Sequence, residues 1–127
     1  MHIEHVALWT GDLDGLAAFY ARFFGAHAGP PYRSRSRSFE SRFLTFSSGA
    51  RLELMRLPDL APPPGPKPRI GLAHLAFAVG SPAAVDRLTE ALAAAGCRVE
   101  SPPRTTGDGY YESVVFDPEG NRVEVTA

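Results

Sequence analysis

The stretches "IEHVALW" (residues 3–9) and "LAHLAFAV" (residues 72–79) decide how this chain folds. Each reads as a short buried strand with a histidine set into an apolar run. In the first, Ile3, His5, Ala7 and Trp9 point one way and His2, Glu4, Val6 and Leu8 the other, because successive side chains of a strand alternate between faces. Each stretch is followed by a helix with its own punctuation. "DLDGLAAFYARFFG" (residues 12–25) has Asp12 to cap it, an apolar stripe of Leu13, Leu16, Phe19, Tyr20 and Phe23, and Gly25 past its end. "SPAAVDRLTEALAAAG" (residues 81–96) has Ser81 as cap, Pro82 at the first helical position, Val85, Leu88 and Leu92 as the stripe, and Gly96 as the stop.

Each helix leads into a strand hairpin. "RFLTF" turns at Ser47-Ser48-Gly49 into "ARLELMR", and "YYESVVF" turns at Asp117-Pro118-Glu119-Gly120 into "NRVEVT". An Asp-Pro-x-Gly sequence suits a tight turn, proline presetting φ at its second position. The chain is thus read as an α+β protein of two tandem βαβββ modules, residues 1–57 and 70–127. Residues 58–69 form a proline-rich linker that disfavours helix and central strand.

The returning strands carry matching glutamates. Glu53 lies between Leu52 and Leu54, and Glu124 between Val123 and Val125. With the apolar neighbours facing a core, both glutamates face away from it, as do His5 and His74 on their own strands. The intervals agree, 48 residues from His5 to Glu53 and 50 from His74 to Glu124. Two halves related by approximate twofold symmetry would gather two imidazoles and two carboxylates, a donor set suited to Ni, Co, Zn, Mn or Fe as a divalent ion. Two glutamates balance the charge of a dication; without it they repel and raise each other's pKa.

"IEHVALWTGDLDGLAAFYARFFG", "ARLELM", "GLAHLAFAV" and "DPEGNRVEV" together resemble the vicinal oxygen chelate superfamily of glyoxalase I, epimerases, extradiol dioxygenases and bleomycin-binding proteins. The resemblance spans essentially the whole chain and is greatest to small bacterial members. It implies an open eight-stranded cup around a metal, frequently completed in a homodimer. By motif, His5, Glu53, His74 and Glu124 fall on the four metal positions of glyoxalase I. The implied activity is a lyase or isomerase reaction: the metal binds vicinal oxygens of a small-molecule substrate and stabilises an enediolate. Glu124, with Glu53 as its counterpart, then moves a proton between neighbouring carbons. One departure stands out, since Trp9 occupies a position where glyoxalase I has an arginine for glutathione. The same resemblance leaves open a non-catalytic binding or resistance protein, and a metal-dependent epimerase or dioxygenase.

The substrate-binding candidates are Trp9, Arg37, Phe39, Arg42 and Tyr110. "RSRSRSFESR" (residues 33–42) puts Arg33, Arg35 and Arg37 on one face if it is a strand, either as a charged edge that blocks unwanted pairing or as a contact for an anionic substrate tail. "TTGDGYYES" (residues 105–113) suits an active-site loop, with Tyr110 and Tyr111 facing opposite ways. With 13 basic and 14 acidic side chains, nothing suggests nucleic acid or an anionic membrane as partner. No apolar run approaches the roughly 20 residues that span a bilayer. The lone Cys97 and the lack of a basic-then-apolar leader fit a cytoplasmic location.

Overall fold

The computed structural model describes residues 1–62 and 67–127 and divides into two units, Met1–Pro62 and Pro63–Ala127. Part of the expected linker, residues 63–66, lies outside the described residues. In the first unit β1 (His5–Trp9) leads into α1 (Leu13–Phe24), then β2 (His27–Ala28), β3 (Tyr32–Arg33), β4 (Glu40–Thr45) and β5 (Arg51–Arg56). The second runs β6 (Leu75–Ala78), α2 (Pro82–Ala94), β7 (Val99–Thr105), β8 (Tyr111–Phe116) and β9 (Arg122–Thr126). The first sheet has the order β1-β5-β4-β2, with β3 also on β4; the second is β6-β9-β8-β7. In both, the first strand lies parallel to the last, which pairs antiparallel with the strand before it.

The helix ends follow from side-chain chemistry. Asp12 Oδ1 accepts the Gly15 amide at 2.9 Å, and Gly25 closes α1 in the left-handed region at φ 66°. The ideal Cβ of any other residue at 15 would stand 2.2 Å from Asp12 Oδ2, so Gly15 makes room for its own cap. Ser81 Oγ accepts the Ala84 amide at 3.3 Å, and Pro82 opens α2. Alternation then sorts the strands. Leu8, Leu44, Leu52 and Leu54 are buried in the first unit with Leu16, Phe19 and Tyr20 of α1. Val115, Val123 and Val125 are buried in the second with Val85 and Leu92 of α2. Thr89 replaces the expected Leu88 as the buried middle of the α2 stripe. Its hydroxyl donates to the Val85 carbonyl at 2.7 Å and, having one proton, accepts from Ser113 Oγ at 2.7 Å.

Two expectations change. Residues 33–37 do not form one strand, since β3 ends at Arg33 and residues 35–38 bend. An Arg-Ser alternation offers no apolar face to bury, so nothing offsets the entropy of extending it. The second strand of the first half is accordingly broken into β2 and β3, giving nine strands in the described residues rather than eight. The β8–β9 turn forms as its sequence dictates: Asp117 accepts the Glu119 amide at 3.0 Å, the Asn121 amide at 2.8 Å and Asn121 Nδ2 at 2.9 Å. Asp117→Ala is expected to cost about 2 kcal/mol by removing the buried carboxylate that accepts these bonds, measured as a fall in the urea midpoint.

Candidate functional site

Strand register places His5, Glu53 and Glu124 on the open faces of their sheets, away from the helices, while His74 stands just ahead of β6. In the first unit His5 lies opposite Arg51 and Ala7 opposite Glu53, while Leu8 and Leu54 share the helix side. His5 Nε2 stands 3.8 Å from Glu53 Oε2. In the second unit, Ala76 pairs with Glu124, and His74, two residues before Ala76, reaches it with Nε2 3.4 Å from Oε2. Both glutamates are largely enclosed, at 16% and 17% side-chain exposure against 41% and 42% for their histidines.

The surroundings of the two pairs differ. Glu4, just ahead of β1, receives His5 Nδ1 at 2.5 Å on one carboxylate oxygen and the Arg51 guanidinium on the other. The His5 hydrogen bond, reinforced by Arg51, holds the Glu4 carboxyl below the usual carboxylate range against the opposing effect of desolvation. The Phe43 ring meets His5 edge-on at 5.5 Å and lies 4.1 Å beneath the Arg51 guanidinium. In the second unit Arg122, the counterpart of Arg51, turns to Glu100 instead, with two bonds of 2.7 Å. That contact holds Glu100 below its ordinary pKa. Beside the second pair stands Glu112, which shares the open face because it pairs with Thr126 and its neighbour-but-one Val114 pairs with Glu124. Burial first, and the Glu124 charge next, push the Glu112 pKa up, with Arg104 opposing.

Sequence reasoning passed over Glu4 and Glu112. The first is adjacent to a ligand-type histidine, and the second is on the open-face parity of the strand facing Glu124; those are the signals that could have found them. The remaining candidates scatter. Trp9 is on the open face of β1, opposite Met55 and half exposed. Arg42 pairs with Leu54 in register and therefore faces the helix side, where its guanidinium meets Asp14 at 3.2 Å, so it is not on the histidine–glutamate face. Arg37 and Phe39 line a cavity of about 340 Å³ with Arg33, Glu40 and Arg56, of which Glu40 and Arg56 also have helix-side parity. Tyr110 is exposed in the loop closed by Thr106, while Tyr111 turns to α2 and donates to Asp86 at 2.8 Å.

Each pair offers an imidazole nitrogen and a carboxylate oxygen, and separations of 3.8 and 3.4 Å fall within what two ligands about 2.1 Å from a shared ion can span. Among the described residues no cluster of three or more histidine, cysteine or acidic side chains forms a ready metal group. Within its own unit, each pair has donor chemistry and a separation that fit a divalent ion.

Comparison with known proteins gives the family and the fold. The chain is 30% identical over 131 residues to the uncharacterized protein YqjT of Bacillus subtilis, covering 98% of both. The crystal structure of SMU.1112c superposes with a TM-score of 0.80 at 29% identity, covering 100% of this chain and 98% of that one. Glyoxalase I from Zea mays shares the fold, with a TM-score of 0.77 at 22% identity over 98% of this chain and 44% of the maize protein. The profile of the Glyoxalase/Bleomycin resistance protein/Dioxygenase superfamily matches residues 2–125, and the chain belongs to that superfamily.

Proposed function

We propose that this protein is a metal-dependent lyase or isomerase of the glyoxalase I type, acting on a small substrate with vicinal oxygens. The observation that carries the reading is the repeated histidine–glutamate pair, at equivalent positions on the open face of both sheets. Two unrelated surface pairs would have no reason to share sequence interval, close approach and enclosure. In this reading His5, Glu53, His74 and Glu124 together hold one divalent ion, with a homodimer setting the site at or near its interface. The bound ion would supply Lewis-acid polarisation of the substrate oxygens.

The chain's own residues do the proton chemistry. Glu124 takes a proton from a substrate carbon onto a carboxylate oxygen and returns it to the adjacent carbon, so no oxidant or reductant is consumed. Glu53 is its counterpart on the other half. The enclosure of both carboxylates limits exchange of that proton with water. Trp9 presents an exposed indole on the same face as His5, where a cationic side chain would be needed to grip glutathione carboxylates. A substrate other than a glutathione adduct is thus favoured.

The test is a screen of the metal-loaded protein against α-hydroxycarbonyl thioadducts, acyl-CoA esters and catechols, each followed by NMR in deuterated water. The expected result is isomerisation with little deuterium incorporated, and slower turnover of the methylglyoxal–glutathione hemithioacetal than of the best substrate. Oxygen uptake with catechols would replace the isomerase reading by a dioxygenase one. Tight binding without turnover would replace it by sequestration.

A further inference from the structure

The first histidine–glutamate pair carries a device that the second lacks. Glu4 belongs to no strand and is exposed, yet both of its carboxylate oxygens are engaged, one by His5 Nδ1 at 2.5 Å and the other by the Arg51 guanidinium. The Arg51 amide also donates to the Glu4 carbonyl at 3.1 Å, which fixes the backbone that presents the carboxylate. Arg51 is itself steadied over the Phe43 ring. The chain Phe43–Arg51–Glu4–His5 ends with His5 Nε2 directed at Glu53. At the equivalent place before His74 stands Ala73, and among the described residues nothing accepts a hydrogen bond from His74 Nδ1.

We propose that Glu4 is a positioning residue for His5, fixing the tautomer with the proton on Nδ1 so that Nε2 presents a bare lone pair toward Glu53. A carboxylate on one imidazole nitrogen selects the tautomer, fixes the ring plane and raises the basicity of the other nitrogen. His74 is left to its intrinsic preference, with its proton on Nε2. The half-site on β1 and β5 is therefore preorganised for an incoming cation, and the half-site on β6 and β9 must shift a proton when one arrives. The relevance of this to metal uptake rests on the function proposed above; the tautomer does not.

Two readouts test the assignment on the full-length protein. In metal-free protein at a pH where imidazole is neutral, nitrogen-15 shifts of the histidine rings distinguish a protonated nitrogen from a bare one. Expected are Nδ1–H for His5 and Nε2–H for His74 in the parent, Nε2–H for His5 in Glu4→Ala, and Nδ1–H retained in Glu4→Gln, whose amide oxygen still accepts. In competition titrations with Ni²⁺, Glu4→Ala should bind about 10–100-fold more weakly, with partial recovery in Glu4→Gln. The proposal is overturned by Nε2–H on His5 in the parent, or by a Glu4→Ala protein whose His5 tautomer and Ni²⁺ affinity are both unchanged. A parent protein that takes up no Ni²⁺ yet shows the Nδ1–H tautomer, lost in Glu4→Ala, supports the role of Glu4 and removes the metal-dependent function instead.

Discussion

Under the proposed metal-dependent function, Glu124→Gln is expected to fold at least as well as the parent and to lose affinity for a divalent ion. The amide keeps the size of the carboxylate and removes its charge, so affinity for Ni²⁺ should fall more than the roughly 100-fold seen when an outer-shell partner is lost. Turnover of the substrate found by screening should fall by about 10²–10⁴-fold, the range for loss of a positioned acid–base group. Stability should move the other way. In the metal-free chain, desolvation first and the Glu124 charge next push the pKa of the partly buried Glu112 up. A carboxyl with a raised folded-state pKa favours the native state most at low pH, and that contribution is lost as pH rises through the folded value. Removing the neighbouring charge therefore relieves the cost at neutral pH. A melting temperature at pH 7 equal to or above the parent's, together with lost metal affinity, is the signature of a residue kept for function. A fall in both would mark Glu124 as structural.

Leu54→Ala is the opposite case. Leu54 lies on β5, which is hydrogen-bonded on both edges, to β1 and β4, and is fully buried on the side of its sheet that faces α1. Truncation removes its transfer free energy and leaves a cavity that a strand paired on both sides cannot collapse into. The expected loss is about 3 kcal/mol within the usual 2–5 kcal/mol range. Against a total of roughly 5–15 kcal/mol this is a large fraction. Urea unfolding followed by Trp9, the only tryptophan and part of β1, reads the first unit directly. A loss below about 1 kcal/mol would contradict the assignment of Leu54 to the core.

How far the sequence could be read depended on whether each signal was local. Asp12, Gly25, Ser81 and Pro82 act within one helical turn, and all four occupy the roles their chemistry gives them. Strand parity placed Glu53 and Glu124 on the faces opposite Leu52, Leu54, Val123 and Val125, as the registers have them. Parity fails where the strand does. Glu4 precedes β1, so alternation does not govern its side chain, which turns back to His5 instead of pointing away. Arg42 needed a register and not only a pattern, since its partner Leu54 decides its face. Arg35 and Arg37 alternate with serines as strand residues do, but without an apolar face the pattern has nothing to bury, and the chain bends. Glu112 became visible only once the Asp117–Gly120 turn had set the pairing of β8 with β9.

The central claim is that the two histidine–glutamate pairs serve one divalent ion, and elemental analysis of untagged protein tests it most directly. The account predicts about one ion per chain after loading and dialysis, lost in both His74→Ala and Glu124→Gln while their folded spectra persist. A folded parent that takes up no Ni, Co, Zn, Mn or Fe would contradict it, leaving the paired residues on the two open faces without their shared purpose.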